Sequence, residues 1–311
     1  MTIGVSAIIA TRDRPEFLRR TLSQLERQTF RPSQIIIIDA SVNDESKKAI
    51  DPFKDAGLNT IYIKAQNSGA ASQRIVGLEH ASEPFIWFLD DDIVMEQDCS
   101  KKLWEGFAGD QVGAVNAMIS NQRYTKPGRV TRFMYLLMHG KKLGTYAGKV
   151  IGPAWNLLPE DEAGLPDYVR CEWLNTTCTM YKRKALPNPV FSDFFRGYSM
   201  FEDLTLSVSI AKHYTLLNAR TARIVHESQS GTHKDNVAEI SRMALVNRYY
   251  VMTRILQRGG WKYNLKLFLL ETFGITTSLR TRQNWLQLPK VLHGKILGLK
   301  EINNMKSNYG V

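Results

Sequence analysis

The sequence predicts an α/β fold, a mostly parallel central sheet flanked by helices, with a helical extension toward the C-terminal end. Three observations predict it. Apolar, β-branched runs alternate with helical patterns over the first 90 or so residues, the rhythm of strands wound right-handedly into one sheet. Polar and acidic residues gather at the C-terminal ends of those runs, where open α/β sheets place their ligand crevice. From Ala238 onward the alternation stops and only helical periodicity remains.

The first run, Ile3 to Ala10, breaks at Thr11-Arg12-Asp13-Arg14-Pro15. Asp13 is the expected N-cap, Pro15 fits a first helical turn, and Phe17, Leu18, Leu22 and Leu25 recur near helical spacing. No G-x-G-x-x-G follows this strand, which argues against a dinucleotide fold. Gln34 to Asp39 reads as a second buried strand closing on an aspartate, followed by a polar loop and a helix near Glu45 to Phe53. Asn59 to Lys64 supplies a third strand. Asn67-Ser68-Gly69-Ala70-Ala71-Ser72 then opens a helix carrying Arg74.

The fourth run, Phe85-Ile86-Trp87-Phe88-Leu89, delivers Asp90-Asp91-Asp92 at its end. A continuous apolar run reads as a strand buried on both faces. Three adjacent carboxylates repel one another, so a cation is expected among them; oxygen ligands suit Mg²⁺ or Mn²⁺, and either bridges phosphates. The plainer alternatives are a solvated acidic turn here, an Asx turn at Asp39 and a solvated helix face at Arg74.

Val112 to Ile119 is a further strand, after which Asn121 to Pro166 reads as irregular, rich in Gly, Pro, Lys and Arg with interleaved aromatics. Such a mixture can stack on sugar rings and neutralise phosphates, or form a solvated insertion, or bind single-stranded nucleic acid. Val169 to Leu174 and Thr177 to Tyr181 read as strands around Asn175-Thr176, with Lys182-Arg183-Lys184 as an exposed basic connection. Gly197 to Asp203 opens a helix whose first turn carries Glu202 and Asp203, where the helix dipole favours charged acids. Thr215 to Val225 is a closing strand leading to His226, with His233 beyond it. Helical patterns in Ile240 to Leu256 and Leu265 to Leu279 carry many aromatic and basic residues, which suits packing on the first domain or an anionic membrane surface.

Composition narrows the classes. With 311 residues, 43% of them hydrophobic, the chain can bury a full core and is not disordered. A formal charge of +11 points to an anionic partner: a nucleotide diphosphate, a membrane surface or nucleic acid. Cys99, Cys171 and Cys178 lack metal-ligand or CxxC spacing and read as reduced packing residues of a cytoplasmic protein. No signal pattern opens the sequence, and no apolar stretch reaches the roughly 18 residues of a membrane span.

Taken in order, VSAIIATRDRPEFLRRTLSQLERQ, IIIIDASVND, NSGAASQRIVGLEHA, FIWFLDDDI and GYSMFEDLTLSVSIA resemble the family-2 glycosyltransferases of GT-A fold over about the first 230 residues. The resemblance implies a GT-A-type, Rossmann-like sheet and a metal-dependent, inverting transfer from a nucleotide-diphosphate sugar to a glycan or lipid-linked saccharide. It assigns nucleotide-sugar contacts to Thr11, Arg12, Asp39, Gly69, Arg74, Asp90 and Asp91. Metal ligation by Mn²⁺ or Mg²⁺ falls to Asp92, Asp90 and His226. The catalytic base lies in the Glu202–Asp203 pair, with Asp203 preferred, and Trp173 and Asn175 become sugar or acceptor contacts. Asp39-Ala40-Ser41 departs from the family's commoner Asp-Asp-Gly-Ser loop.

The implied organisation is a catalytic domain over residues 1–235, with a nucleotide half at 1–119 and an acceptor half at 120–235, then a helical extension over 236–311. The expected place is the cytoplasm or the inner face of the cell membrane. Two rivals make different predictions. A sugar nucleotidyltransferase of related fold would attack phosphorus and release pyrophosphate. A non-catalytic protein binding nucleic acid or membrane through its charge would ignore metal and nucleotide.

Overall fold

The computed structural model describes residues 1–195, 200–228 and 236–309. In chain order the elements are β1 (Thr2–Thr11), α1 (Pro15–Arg27), β2 (Arg31–Asp39), α2 (Glu45–Lys48), α3 (Asp51–Asp55), β3 (Thr60–Lys64), α4 (Ala70–His80), β4 (Phe85–Asp90), β5 (Ile93–Met95), α5 (Cys99–Glu105) and β6 (Val112–Ile119). Then follow α6 (Arg129–His139), β7 (Val150–Ile151), β8 (Trp155–Asn156), β9 (Tyr168–Cys171), β10 (Cys178–Lys182), α7 (Glu202–Ala211), β11 (Thr215–His226), α8 (Val237–Tyr250), α9 (Trp261–Ser278) and α10 (Arg282–Tyr309).

Contacts divide the chain into two compact units. The first comprises Met1–Thr125, Ala147–Lys149 and Leu157–Gln229; the second comprises Lys126–Tyr146, Val150–Asn156 and Ser230–Val311.

The first unit is built on a sheet of order β3-β2-β1-β4-β10-β6-β11-β5, with β9 pairing β11. β1 runs parallel to β2 and β4, and β2 parallel to β3, as alternation with helices requires. β10 enters antiparallel between β4 and β6, which closes the parallel half against the second half. The strand cores Ile36–Ile38 and Ile86–Leu89 are buried, because helices cover both faces. On one face, Leu18, Leu22 and Leu25 of α1 join Ile9, Ile37 and Leu89; each leucine so buried contributes about 2 kcal/mol. On the other, α4 comes so close to β1 that a Cβ at Gly77 would overlap Ile8 Cγ2.

Several local expectations are corrected. Asp13 does not cap α1: Arg14 holds the N-cap position, and Asp13, at φ 53°, accepts from the Val42 amide instead. The single helix near Glu45 to Phe53 is two short ones, split at Ala49–Ile50. The stretch Asn121 to Pro166 is not irregular throughout, since α6 and the β7–β8 ribbon lie within it. Lys182 and Arg183 are not an exposed connection. Lys182 is buried and donates to the carbonyls of Gly109 and Asp110, and Arg183 donates to those of Glu83 and Ala81. Only Lys184 of that trio is exposed.

In the second unit α8 packs along α10, and a Cβ on Gly294 would run into the Ala238 carbonyl. α8 continues into a wider π-helical turn over Val251–Ile255. No helix among the described residues is long and apolar enough to cross a membrane.

Candidate active site

Strand register brings the expected residues to one edge. In the parallel ladders Thr11 pairs with Asp39, and Ala10 with Asp90, so Thr11, Asp39 and the acidic tip of β4 end side by side. After Asp90 the chain turns through Asp91 and Asp92 into β5, whose antiparallel pairing sets Ile93 against His226. The Glu227 amide donates to the Asp92 carbonyl at 2.9 Å, which fixes the end of β11 beside the turn.

His226 Nε2 stands 3.1 Å from Asp92 Oδ1, and Gln122 lies 3.5 Å from its Nδ1. Donor atoms of Asp90, Asp92 and His226 fall within 4.8 Å of one another. Two carboxylates and an imidazole converging on one point suit a divalent cation of the Mn²⁺ type, for which both oxygen and nitrogen are acceptable ligands. The residues present therefore fit such an ion.

Two arginines already meet the negative charge there. Arg14 reaches Asp91 at 3.2 Å and Asp92 at 3.3 Å. Arg74 donates to Asp90 at 2.6 Å and lies 3.6 Å from Glu202. Its side chain is 3% exposed, so the solvated helix face is ruled out. Its Nε and Nη1 are buried with no hydrogen-bond partner among the described residues, an unused pair of donors facing acids.

Asp91 is turned inward. Burial pushes its carboxyl up to about 6, against the lowering effect of the 2.6 Å bond from the Thr11 hydroxyl and the charge of Arg14. Asp39 is fully buried and well supplied with donors: the Ser41 amide at 2.8 Å, the Ser41 hydroxyl, and the Tyr62 hydroxyl at 2.8 Å. The Asp39–Ser41 contacts are those of an Asx turn, with Lys64 at 3.8 Å. Tyr62 is held as the neutral phenol, its pKa raised by burial and by its bond to Asp39.

Gly69 sits at φ 146°, a conformation that L side chains rarely adopt, and its amide donates to Gln73. Gln73 in turn donates to the carbonyls of Thr11 and Ile38, tying α4 to β1 and β2 at the carboxyl edge of the sheet. Arg12 is exposed beside Asp13 at 3.4 Å.

Glu202 and Asp203 open α7. Burial raises both carboxyls: Glu202 up to about 8, with Asp203 adding repulsion and Arg74 opposing it, and Asp203 up to about 6, opposed by the 2.7 Å bond from the Leu204 amide. The residues just before, Gly197 to Ser199, lie outside the described residues, as does His233. Trp173 is buried, and its indole N–H is spent on the Leu157 carbonyl at 2.7 Å, which leaves it no free polar group for a sugar. Asn175 accepts from the Thr177 amide at 3.2 Å.

Arg14, Tyr62 and Gln73 are site residues that sequence reasoning missed. The only signal for Arg14 was a cation within four residues of a strand end. A polar stripe on α1 went unread as well: Thr21 donates to the Asp91 carbonyl, Gln24 to that of Ile93 and Gln28 to that of Glu96, so one helix face holds the acidic turn in place. Their spacing of three and four residues was visible.

The model of the family described as glycosyl transferase family 2 matches residues 6–187. The GalNAc(5)-diNAcBac-PP-undecaprenol beta-1,3-glucosyltransferase of Campylobacter jejuni is 22% identical over 226 residues, 71% of this chain and 63% of that protein. The chain spans between 14% and 63% of the length of the first curated relatives it matches. Among solved structures, the mannosyltransferase PcManGT of Pyrobaculum calidifontis, in complex with GDP-Man and Mn²⁺, superposes with a TM-score of 0.56 at 14% identity, covering 94% of this chain and 73% of that one. S. aureus TarS 1-349 in complex with UDP-GlcNAc also gives 0.56 at 14% identity, covering 94% and 79%. At such identities these likenesses establish the fold: a GT-A-like, mostly parallel sheet flanked by helices.

Proposed function

The chain belongs to glycosyl transferase family 2, and on that premise we propose that it moves a sugar from a nucleotide-diphosphate donor to a hydroxyl of a glycan or lipid-linked saccharide, with inversion at the anomeric carbon. The observation that carries this reading is the convergence of Asp90, Asp92 and His226 at the carboxyl edge of the sheet. Those three residues would hold Mn²⁺ or Mg²⁺, which when bound neutralises charge on the departing diphosphate.

The chain's own residues do the rest. Asp39 stands beside Thr11, fully buried and fixed by Ser41 and Tyr62, and would meet the nucleoside by exchanging one of those donors for it, with Arg12 and Gly69 nearby at the carboxyl edge of the sheet. Arg74 keeps Asp90 in place, and its unused N–H groups are available to phosphate oxygens. Asp203 acts as general base. Burial raises both carboxyls, and Asp203 is the less buried of the two, which favours it over Glu202 as the group that takes the acceptor's proton. As the acceptor oxygen bonds to the anomeric carbon, its proton passes to Asp203. The carbon–phosphate oxygen bond breaks, and its electron pair leaves with the nucleoside diphosphate.

The catalytic part in this reading is residues 1–235, with 1–119 holding the nucleotide and 120–235 the acceptor. Three buried, free thiols fit a reducing, cytoplasmic setting. A panel of nucleotide sugars assayed with Mn²⁺ and saccharide acceptors tests the proposal. Nucleoside diphosphate and an inverted glycoside are the expected products; pyrophosphate release would mark a nucleotidyltransferase instead.

A further inference from the structure

The exposed apolar side chains of the second unit form rows. On α6, Val130, Phe133 and Leu137 share one face at i, i+3 and i+7, and Phe133 is 63% exposed. On α9, Trp261, Leu265 and Phe268 share one face at i, i+4 and i+7, with Trp261 71% and Phe268 66% exposed. The opposite faces are already packed: Tyr135 and Met138 of α6, and Leu267 and Leu270 of α9, are buried. Lys266 of α9 donates to the Met138 carbonyl at 2.7 Å, and the Trp155 ring lies between Tyr135 at 4.9 Å and Phe273 at 6.0 Å. The two helices are thus joined within one unit while each leaves an apolar row facing solvent.

Charge identifies what covers those rows. Residues 126–146 contain Lys126, Arg129, Arg132, Lys141 and Lys142 and no aspartate or glutamate, and all five of these cations are exposed. A second copy seated on this face would set like charges against one another. An anionic lipid surface supplies both apolar depth for the rings and phosphate for the cations. We infer that α6 and α9 form a docking face for an anionic bilayer, on which the unit lies without spanning it. The inference stands apart from the proposed transfer activity, because its readout needs neither donor nor acceptor.

Co-sedimentation of the full chain with phosphatidylcholine vesicles, with and without phosphatidylglycerol, tests it at two salt concentrations. Binding is expected only with phosphatidylglycerol, weakening with salt. R129Q/R132Q lowers it by about fivefold for each cation removed. F133S/F268S, and independently W261S, reduce binding further while circular dichroism stays that of the parent chain. Vesicle binding indifferent to all three variants overturns the inference. So does failure to bind any vesicle, including the case in which F133S/F268S dissolves a dimer and so assigns the face to a second copy.

Discussion

Arg74 donates a 2.6 Å hydrogen bond to Asp90, and its guanidinium also stands 3.6 Å from Glu202. One buried cation therefore links the acidic tip of β4 to the first turn of α7. Replacing it by methionine leaves the Asp90 carboxylate without its buried hydrogen-bonding counter-charge. Arg74→Met is expected to lose about 3 kcal/mol of stability, read as a shift in the urea midpoint, and Arg74→Lys to recover part of it.

Glu202 should make stability fall as pH rises. Its ordinary value of 4.5 moves up to about 8 on folding, so the folded state binds the extra proton and the contribution is complete below 4.5 and lost through about 8. In metal-free protein, Glu202→Gln is therefore expected to gain melting temperature over the parent chain between pH 5 and 8 and to gain no more above that. A parent chain that instead grew more stable over that range would contradict the assignment.

Asp203→Asn is expected to lower turnover by roughly a hundred- to ten-thousand-fold while leaving donor affinity near the parent value. The parent rate should rise with pH through about 6, as burial holds the Asp203 proton on below that point. Steady-state kinetics between pH 5 and 7 checks both.

Gly77→Ala tests the seat of α4 on β1. A methyl there overlaps Ile8 Cγ2, so the variant should lose about 1–3 kcal/mol in chemical denaturation.

Strands buried on both faces were the legible part of this molecule. Val112–Ile119 was read to the residue, and the strands closing on Asp39 and Asp90 end side by side with β1 between them, since burial on both faces writes itself as an unbroken apolar run. Three kinds of feature were hidden. The antiparallel entry of β10 depends on long-range pairing that no local pattern encodes. α6 was lost among flanking glycines and prolines, and α10 carries Pro289, Gly294 and Gly298, each a poor helix former in isolation; packing on α8 overrides them. Asp13 looked like a cap because it lies two residues before Pro15 at the head of a helical pattern, yet its carboxylate accepts from the Val42 amide of the next loop. At the site, identities were readable and partnerships were not: nothing local says that Arg14 and Arg74 divide the aspartates between them.

Calorimetric titration of nucleoside diphosphate, with and without Mn²⁺, into the parent chain and into D92N bears most directly on the acidic tip of β4. Binding by the parent that needs Mn²⁺, and loss of that dependence in D92N, is the predicted result. Nucleotide binding of equal strength with the cation withheld, or unaltered in D92N, would contradict it.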